Sequence, residues 1–319
     1  MNPHPAISIQ DLSKTFRLGL LRRRHVALQG LSLEVQPGEI FGFIGPNGAG
    51  KTTTIKILVG LLQPDAGQAS IFGVDARDHR ARARLSYLPE MPDFYDYLRP
   101  AEFLMHCGRL SGIPAGSIKA RTPEILARVG LDPGERRPLR KFSKGMLQRI
   151  GIAQTLLADP DLFIFDEPMS GLDPIGRRWV KDLILELGRA GKTVFFSSHV
   201  LAEAEAVCTR VAFLNRGRVI GQGMLSDLLQ NHRAPTEILL QGVAARTDPE
   251  LSRLSRIEPS GPDTLLLIEP GRDPGPALSR ISAAAYRILS MQQRHATLEE
   301  VFLRALDGEK KTDRSEAAP

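Results

Sequence analysis

The stretch Gly45-Pro46-Asn47-Gly48-Ala49-Gly50-Lys51-Thr52 constrains the rest of this chain more than any other. Gly45 and Gly50 frame the pattern G-x-x-x-x-G-K-[ST]. Glycines let the backbone curl so that successive N–H groups point inward, where side chains would stand in the way. The ligand that suits such a loop is a phosphate. Lys51 can reach the β- and γ-phosphates of a nucleotide, and the Thr52 hydroxyl can ligate Mg²⁺, with Thr53 next in line. A helix starting at about Gly50 would set its positive dipole end beneath the phosphates. The flanks agree. Ile40 to Ile44 is a short apolar run, as a buried parallel strand requires, and Thr53 to Val59 has apolar residues at helical spacing.

Two more apolar runs end in chemistry. Leu162-Phe163-Ile164-Phe165 leads into Asp166 and Glu167. A strand buried on both faces would deliver these acids at its C-terminal edge, where open α/β sheets hold ligands. Asp166 suits Mg²⁺, directly or through water, and Glu167 suits positioning or deprotonating a water. Thr193 to His199 is a third such strand, with a polar tip that puts His199 on the same edge. Phe16 either covers core from an edge strand or stacks on adenine. Leu21-Arg22-Arg23-Arg24-His25 is most simply a solvated hairpin loop.

Around these units, Ile7 to Ile9, Leu28 to Val35, Ala69 to Phe72 and Leu85 to Leu88 read as strands. Pro100 to about Arg137 is helical, with Phe103, Leu104, Cys107 and Leu110 on one stripe. A further helix opens near Lys141 to Met146, and Val211 to Ile220 closes the core as a hairpin. Beyond it, Ile238 to Val243, Thr264 to Glu269 and Ile288 to Gln292 read as strands and Ala277 to Ala285 as a helix. Thr297-Leu298-Glu299-Glu300 is a capping box. The polar tail from Asp307 is expected to be disordered.

At 319 residues the chain has room for one large or two ordinary domains. The net charge of +6 comes from acids and bases mixed along the chain. That balance does not point to nucleic acid, and it would suit a surface lying against an anionic membrane. Cys107 and Cys208 are far apart and in no metal-like spacing, which fits a reducing cytosol. No apolar run approaches the ~20 residues that span a bilayer. A role at a membrane would need another chain to cross it.

Taken together, these motifs resemble the ATP-binding subunit of an ABC transporter, over roughly residues 5–225. Gly45 to Thr52 is similar to the Walker A motif and Leu162 to Asp166 to Walker B, with Glu167 in the catalytic glutamate position. Ser170-Gly171-Leu172-Asp173 resembles the D-loop, His199 the switch histidine, and Phe16 the adenine-stacking aromatic. Phe142-Ser143-Lys144-Gly145-Met146 stands at the signature position, where the family has Leu-Ser-Gly-Gly-Gln. Ser143 and Gly145 match it, as the hydroxyl and backbone donors that would meet a γ-phosphate. Lys144 and Met146 do not. Glu90 replaces the Q-loop glutamine; it could ligate Mg²⁺ but would repel the γ-phosphate.

The resemblance implies a P-loop NTPase core of the α/β class, with an antiparallel β subdomain and a helical insert at about 91–150. A small α+β accessory domain at 226–306 and the tail at 307–319 would complete the chain. It also implies ATP and Mg²⁺ as ligands, with Thr52, Asp166 and Glu90 as metal ligands. The site residues it implies are Phe16, Gly45, Pro46, Asn47, Gly48, Ala49, Gly50, Lys51, Thr52, Thr53, Glu90, Ser143, Gly145 and Asp166. Glu167, His199 and Lys51 would act in catalysis. Two copies would close head to tail over the nucleotide and power a separate integral membrane permease from the cytoplasmic face. The departures at 90, 144 and 146, and the ending His295 to Leu303, are similar to the exporter branch. An importer subunit keeps the same cassette. A soluble ABC-type ATPase acting on nucleic acid or ribosomes would carry two cassettes or a long coiled coil, and neither is in the sequence. A GTPase would need N-K-x-D, which is absent.

Overall fold

The computed structural model describes residues 4–18, 23–231, 235–293 and 297–316. The chain divides into two compact units, one running to Leu225 and resuming at Ala305, the other Ser226–Arg304.

The first unit opens as an antiparallel ribbon of β1 (Ile7–Leu18) and β2 (Arg23–Val35), with Ile7 opposite Val35 and Phe16 opposite His25. In β2, Leu31, Leu33 and Val35 are buried and the residues between them exposed, the period of a half-buried strand. β1 runs far beyond the apolar Ile7 to Ile9. Its polar half is held by Asp65, which accepts from Lys14 Nζ at 2.8 Å and Thr15 N–H at 2.7 Å. Leu21 and Arg22 of the basic run lie outside the described residues; Arg23 to His25 belong to β2 rather than to a loop.

Along the chain follow β3 (Ile40–Ile44), β4 (Ala66–Ile71), β5 (Val74–Asp75), β6 (Leu85–Leu88), β7 (Leu162–Asp166), β8 (Thr193–Ser198), β9 (Arg210–Asn215) and β10 (Arg218–Met224). One sheet has the order β2-β1-β4-β5 and is antiparallel; the other has the order β10-β9-β3-β8-β7-β6, parallel except at β10. β3, β7 and β8 are buried at every position, which is why they read as unbroken apolar runs. Phe41 stacks on Phe195 across β3 and β8, with centroids 5.7 Å apart. In register, Ile44 lies opposite Ser198, and Asp166 opposite Ser197. The next residue on each strand, Gly45, His199 and Glu167, therefore emerges at one edge, where parallel sheets bind ligands. Helices Pro100–Leu110, Ala115–Arg128 and Lys144–Leu157 form the insert between β6 and β7.

The second unit is β11 (Thr236–Leu240), helix Pro249–Leu254, β12 (Arg256–Ser260), β13 (Asp263–Ile268), helix Gly275–Ala283 and β14 (Ile288–Gln293). The sheet order β12-β13-β11-β14 is antiparallel throughout, the split β-α-β-β-α-β arrangement of ferredoxin-like domains. Ile238, Leu240, Leu251, Leu266, Ile268 and Ile281 make its core. Asp248 is its polar hub. Its carboxylate accepts from the Glu250 and Leu251 N–H groups, Arg280 Nε at 3.0 Å and the Tyr286 hydroxyl at 3.2 Å.

The Arg280 bond holds the Asp248 carboxyl below the usual carboxylate range, against the opposing effect of burial. A depressed folded-state value means stability that is present above the unfolded value of about 3.9 and lost as pH falls through the folded value. Asp248→Ala is expected to lower the melting temperature of this unit at pH 7 by several degrees. The gap from wild type should narrow as the pH is taken below 3, which calorimetry across pH will show.

The tail departs from expectation. Helix Leu298–Glu316 continues through residues read as disordered. A helix already nucleated on buried Leu298 and Val301 adds each further turn at little cost. Asn215 Nδ2 also donates to Glu309 Oε2 at 2.7 Å. His295 and Ala296 lie outside the described residues.

Candidate nucleotide-binding site

The loop between β3 and helix Lys51–Leu58 is built by its glycines and its neighbours. Gly45 N–H donates to the Ser198 carbonyl at 3.2 Å, and Ala49 N–H to Pro46 O at 3.1 Å. A Cβ at Gly45 would collide with the Leu214 carbonyl. Gly50 has φ 111°, open only to glycine, and a Cβ there would come within 2.7 Å of Ala27 O. Behind the loop, Gly217 N–H donates to Ala49 O at 2.8 Å and Gln29 N–H to Gly217 O at 2.9 Å. The amides of the first helical turn have no carbonyl within the helix to meet, so they remain for an anion.

One pocket gathers most of the residues named from sequence: Phe16, Asn47 to Thr53, Glu90 and Glu167. His25 and Ala27 join them from β2. Gly45, Pro46, Asp166 and His199 adjoin it through the contacts described here. Lys51 is 6% exposed; its ammonium donates to Gly45 O at 2.7 Å and Pro46 O at 3.3 Å, and lies 3.2 Å from Glu167 Oε1. Glu167 Oε2 is 2.9 Å from His199 Nδ1. Glu167 itself sits at φ 50°, a left-handed conformation that a side chain adopts only under constraint.

Asp166 is fully buried. Burial pushes its carboxyl above the ordinary value, while the hydroxyls of Ser197 and Thr52 and the charge of Lys51 oppose that push. Ser197 Oγ donates to Asp166 Oδ1 at 2.6 Å, whereas Oδ2 is buried with no hydrogen-bond partner. An orphaned buried carboxylate oxygen beside a threonine hydroxyl fits a hard cation. Among the described residues no cluster of three or more His, Cys, Asp or Glu could hold a metal alone. A cation here would therefore complete its shell with phosphate oxygens and water, the habit of Mg²⁺.

Two residues at this edge escaped the sequence reading. Ser197 was visible only as part of a polar strand tip. Tyr87, half-buried on β6, has its hydroxyl pushed up to about 12 by burial, with Asp166 and Glu90 adding to the effect, so it stays neutral.

Ser143 and Gly145 do not line the P-loop pocket of their own chain. Ser143 caps helix Lys144–Leu157, its Oγ accepting from Met146 N–H at 3.3 Å. Lys144 runs toward Gly171: a Cβ on that glycine would collide with the lysine ammonium. Its charge is thus directed at the Ser170 to Asp173 loop of the same chain. Buried Gln148, one turn further along, donates from Nε2 to Pro168 O at 2.8 Å and ties this helix to the residue after Glu167.

Comparison with known proteins agrees with this geometry. The ABC transporter family profile matches residues 28–170. An ABC transporter ATP-binding protein of Nostoc sp. strain PCC 7120 is 39% identical over 313 residues, 95% of this chain and 90% of the relative. The Nod factor export ATP-binding protein I of Ralstonia nicotianae is 34% identical over 94% of this chain and 93% of its own length. The daunorubicin/doxorubicin resistance ATP-binding protein DrrA of Streptomyces peucetius is 35% identical over 91% of this chain and 90% of its own. A solved ATP-binding subunit of an ABC transporter superposes with a TM-score of 0.63 at 33% identity, over 71% of this chain and 92% of that one. A dimeric cassette, MJ0796, bound to ADP and Pi in a post-hydrolysis state, shares the fold with a TM-score of 0.63 at 22% identity, over 69% and 98%. The P-loop, the buried acids at the end of β7 and these similarities together place the chain in the family of ABC transporter ATP-binding proteins, as an ATPase subunit.

Proposed function

We propose that this chain hydrolyses MgATP between two copies of itself and so drives export through a separate permease at the cytoplasmic face of a membrane. The observation that carries the site is the convergence of the P-loop and Glu167 in one pocket, with the orphaned Asp166 oxygen buried next to Glu167. Phe16 would stack on the adenine, and the loop amides with Lys51 would hold the β- and γ-phosphates. Thr52 and Asp166, with Glu90 at the rim, would hold Mg²⁺, which when bound neutralises phosphate charge. Glu167 would take a proton from the water that attacks the γ-phosphorus as the bond to the bridging oxygen breaks and ADP leaves. His199, already against Glu167, would orient that carboxylate and contact the γ-phosphate. Positioning and charge stabilisation account for such a reaction.

Ser143 and Gly145 belong to the second copy in this reading, since in their own chain they stand away from the P-loop. Export is supported by the names of the Nod factor and DrrA relatives. Among the described residues no helix is long and apolar enough to cross a membrane, so the permease would be another chain. Ser143→Glu tests the two-chain site, because it sets a carboxylate against the γ-phosphate across the seam. Phosphate release should fall at least ~100-fold while one chain still binds ATP. Wild-type release by this variant would contradict the shared site.

A further inference from the structure

We propose that Ser197 is the positioning residue for both acids, fixing the backbone bend at Glu167 and choosing which Asp166 oxygen faces the cation. This rests on the nucleotide-site reading above. Ser197 is fully buried on β8, directly opposite Asp166 in the parallel register with β7. One hydroxyl makes both contacts. It donates to Asp166 Oδ1 at 2.6 Å and accepts from the Glu167 N–H at 3.0 Å.

Each contact has a consequence. At Glu167 the chain leaves the sheet with φ 50°, and its N–H is met by this side chain. Strained backbone of this kind persists where the surroundings over-determine it. The Ser170 N–H, donating to Glu167 O at 3.0 Å, holds the other side of the same bend. At Asp166, engagement of Oδ1 fixes the carboxylate plane and leaves Oδ2 as the oxygen without a partner. An alanine makes neither bond, and a cysteine makes both poorly because its S–H is a weak donor and its sulfur a weak acceptor. Threonine keeps the hydroxyl and adds one methyl.

The test uses the full chain and reads binding apart from turnover. In S197A, ATP affinity in EDTA should stay within about twofold of wild type, because the loop amides and Lys51 are untouched. The gain in affinity on adding Mg²⁺ should shrink, and kcat should fall about 10- to 100-fold with KM little changed. S197T should recover most of the loss. If S197A melts too low to assay, S197C answers the same question by the same split. Turnover within threefold of wild type in S197A or S197C would overturn the proposal. So would an equal loss of EDTA binding and kcat, which is the mark of a merely structural residue. Failure of the site reading looks different: wild type itself would then bind ATP without any Mg²⁺ effect, or E167Q would turn over normally.

Discussion

Glu167→Gln is expected to bind ATP as tightly as wild type, or tighter, and to hydrolyse it ~10²–10⁴-fold more slowly, the usual contribution of a general base. The direction on binding follows from the geometry. Glu167 lies 3.2 Å from Lys51 Nζ in a buried pair. Removing its charge frees the ammonium for phosphate and removes a repulsion from the γ-phosphate. Glutamine is isosteric, and its backbone N–H can keep the bond to Ser197 Oγ. Phosphate release and equilibrium binding, measured on one preparation, separate the two effects. If turnover persists at the wild-type rate, Glu167 is not the base.

Lys51→Ala should do the opposite and abolish binding. Two charge-assisted contacts to phosphate, at about 1.5–3 kcal/mol each, put the loss at roughly 10²–10⁴ in affinity. Alanine would also leave Glu167 without its buried partner, which destabilises in its own right. Part of any loss could then be a loss of fold, and Lys51→Gln controls for this. It retains a donor toward Gly45 O, now met by the ammonium at 2.7 Å, without the charge. Both variants should lose ATP binding, and the glutamine variant should melt closer to wild type. Tight ATP binding by a folded Lys51→Gln would show that the loop does not hold the phosphates.

The candidate site's edge is legible in the sequence because its constraints are local. A loop that wraps a phosphate needs glycines at fixed spacing, and strands buried on both faces, such as Phe163 to Phe165, must be apolar throughout. What could not be read depends on register or distance. Ser197 acquires its two partners only because β8 lies beside β7 with Asp166 opposite. Lys144 sits at the signature position, but the sequence does not say which way its charge points. Its path along Gly171 is a tertiary fact. In the second unit, β12 contains Pro259 and lacks apolar alternation, and helix Pro249–Leu254 is too short for a periodic signal. Their place is fixed by pairing with β13 and by Asp248, neither of which a linear pattern carries. The helical turns from Asp307 to Glu316 do not show in composition, which is that of a solvated segment; they continue the helix begun on the apolar stripe before them.

In the proposed complex, ATP is held by the P-loop of one chain and enclosed by Ser143 and Gly145 of another. Sedimentation of the Glu167→Gln chain with saturating MgATP tests it most directly. A stable dimer carrying one ATP per chain is expected, dispersing to monomers when Ser143→Glu is added. A species that remains monomeric with its nucleotide site filled would contradict it.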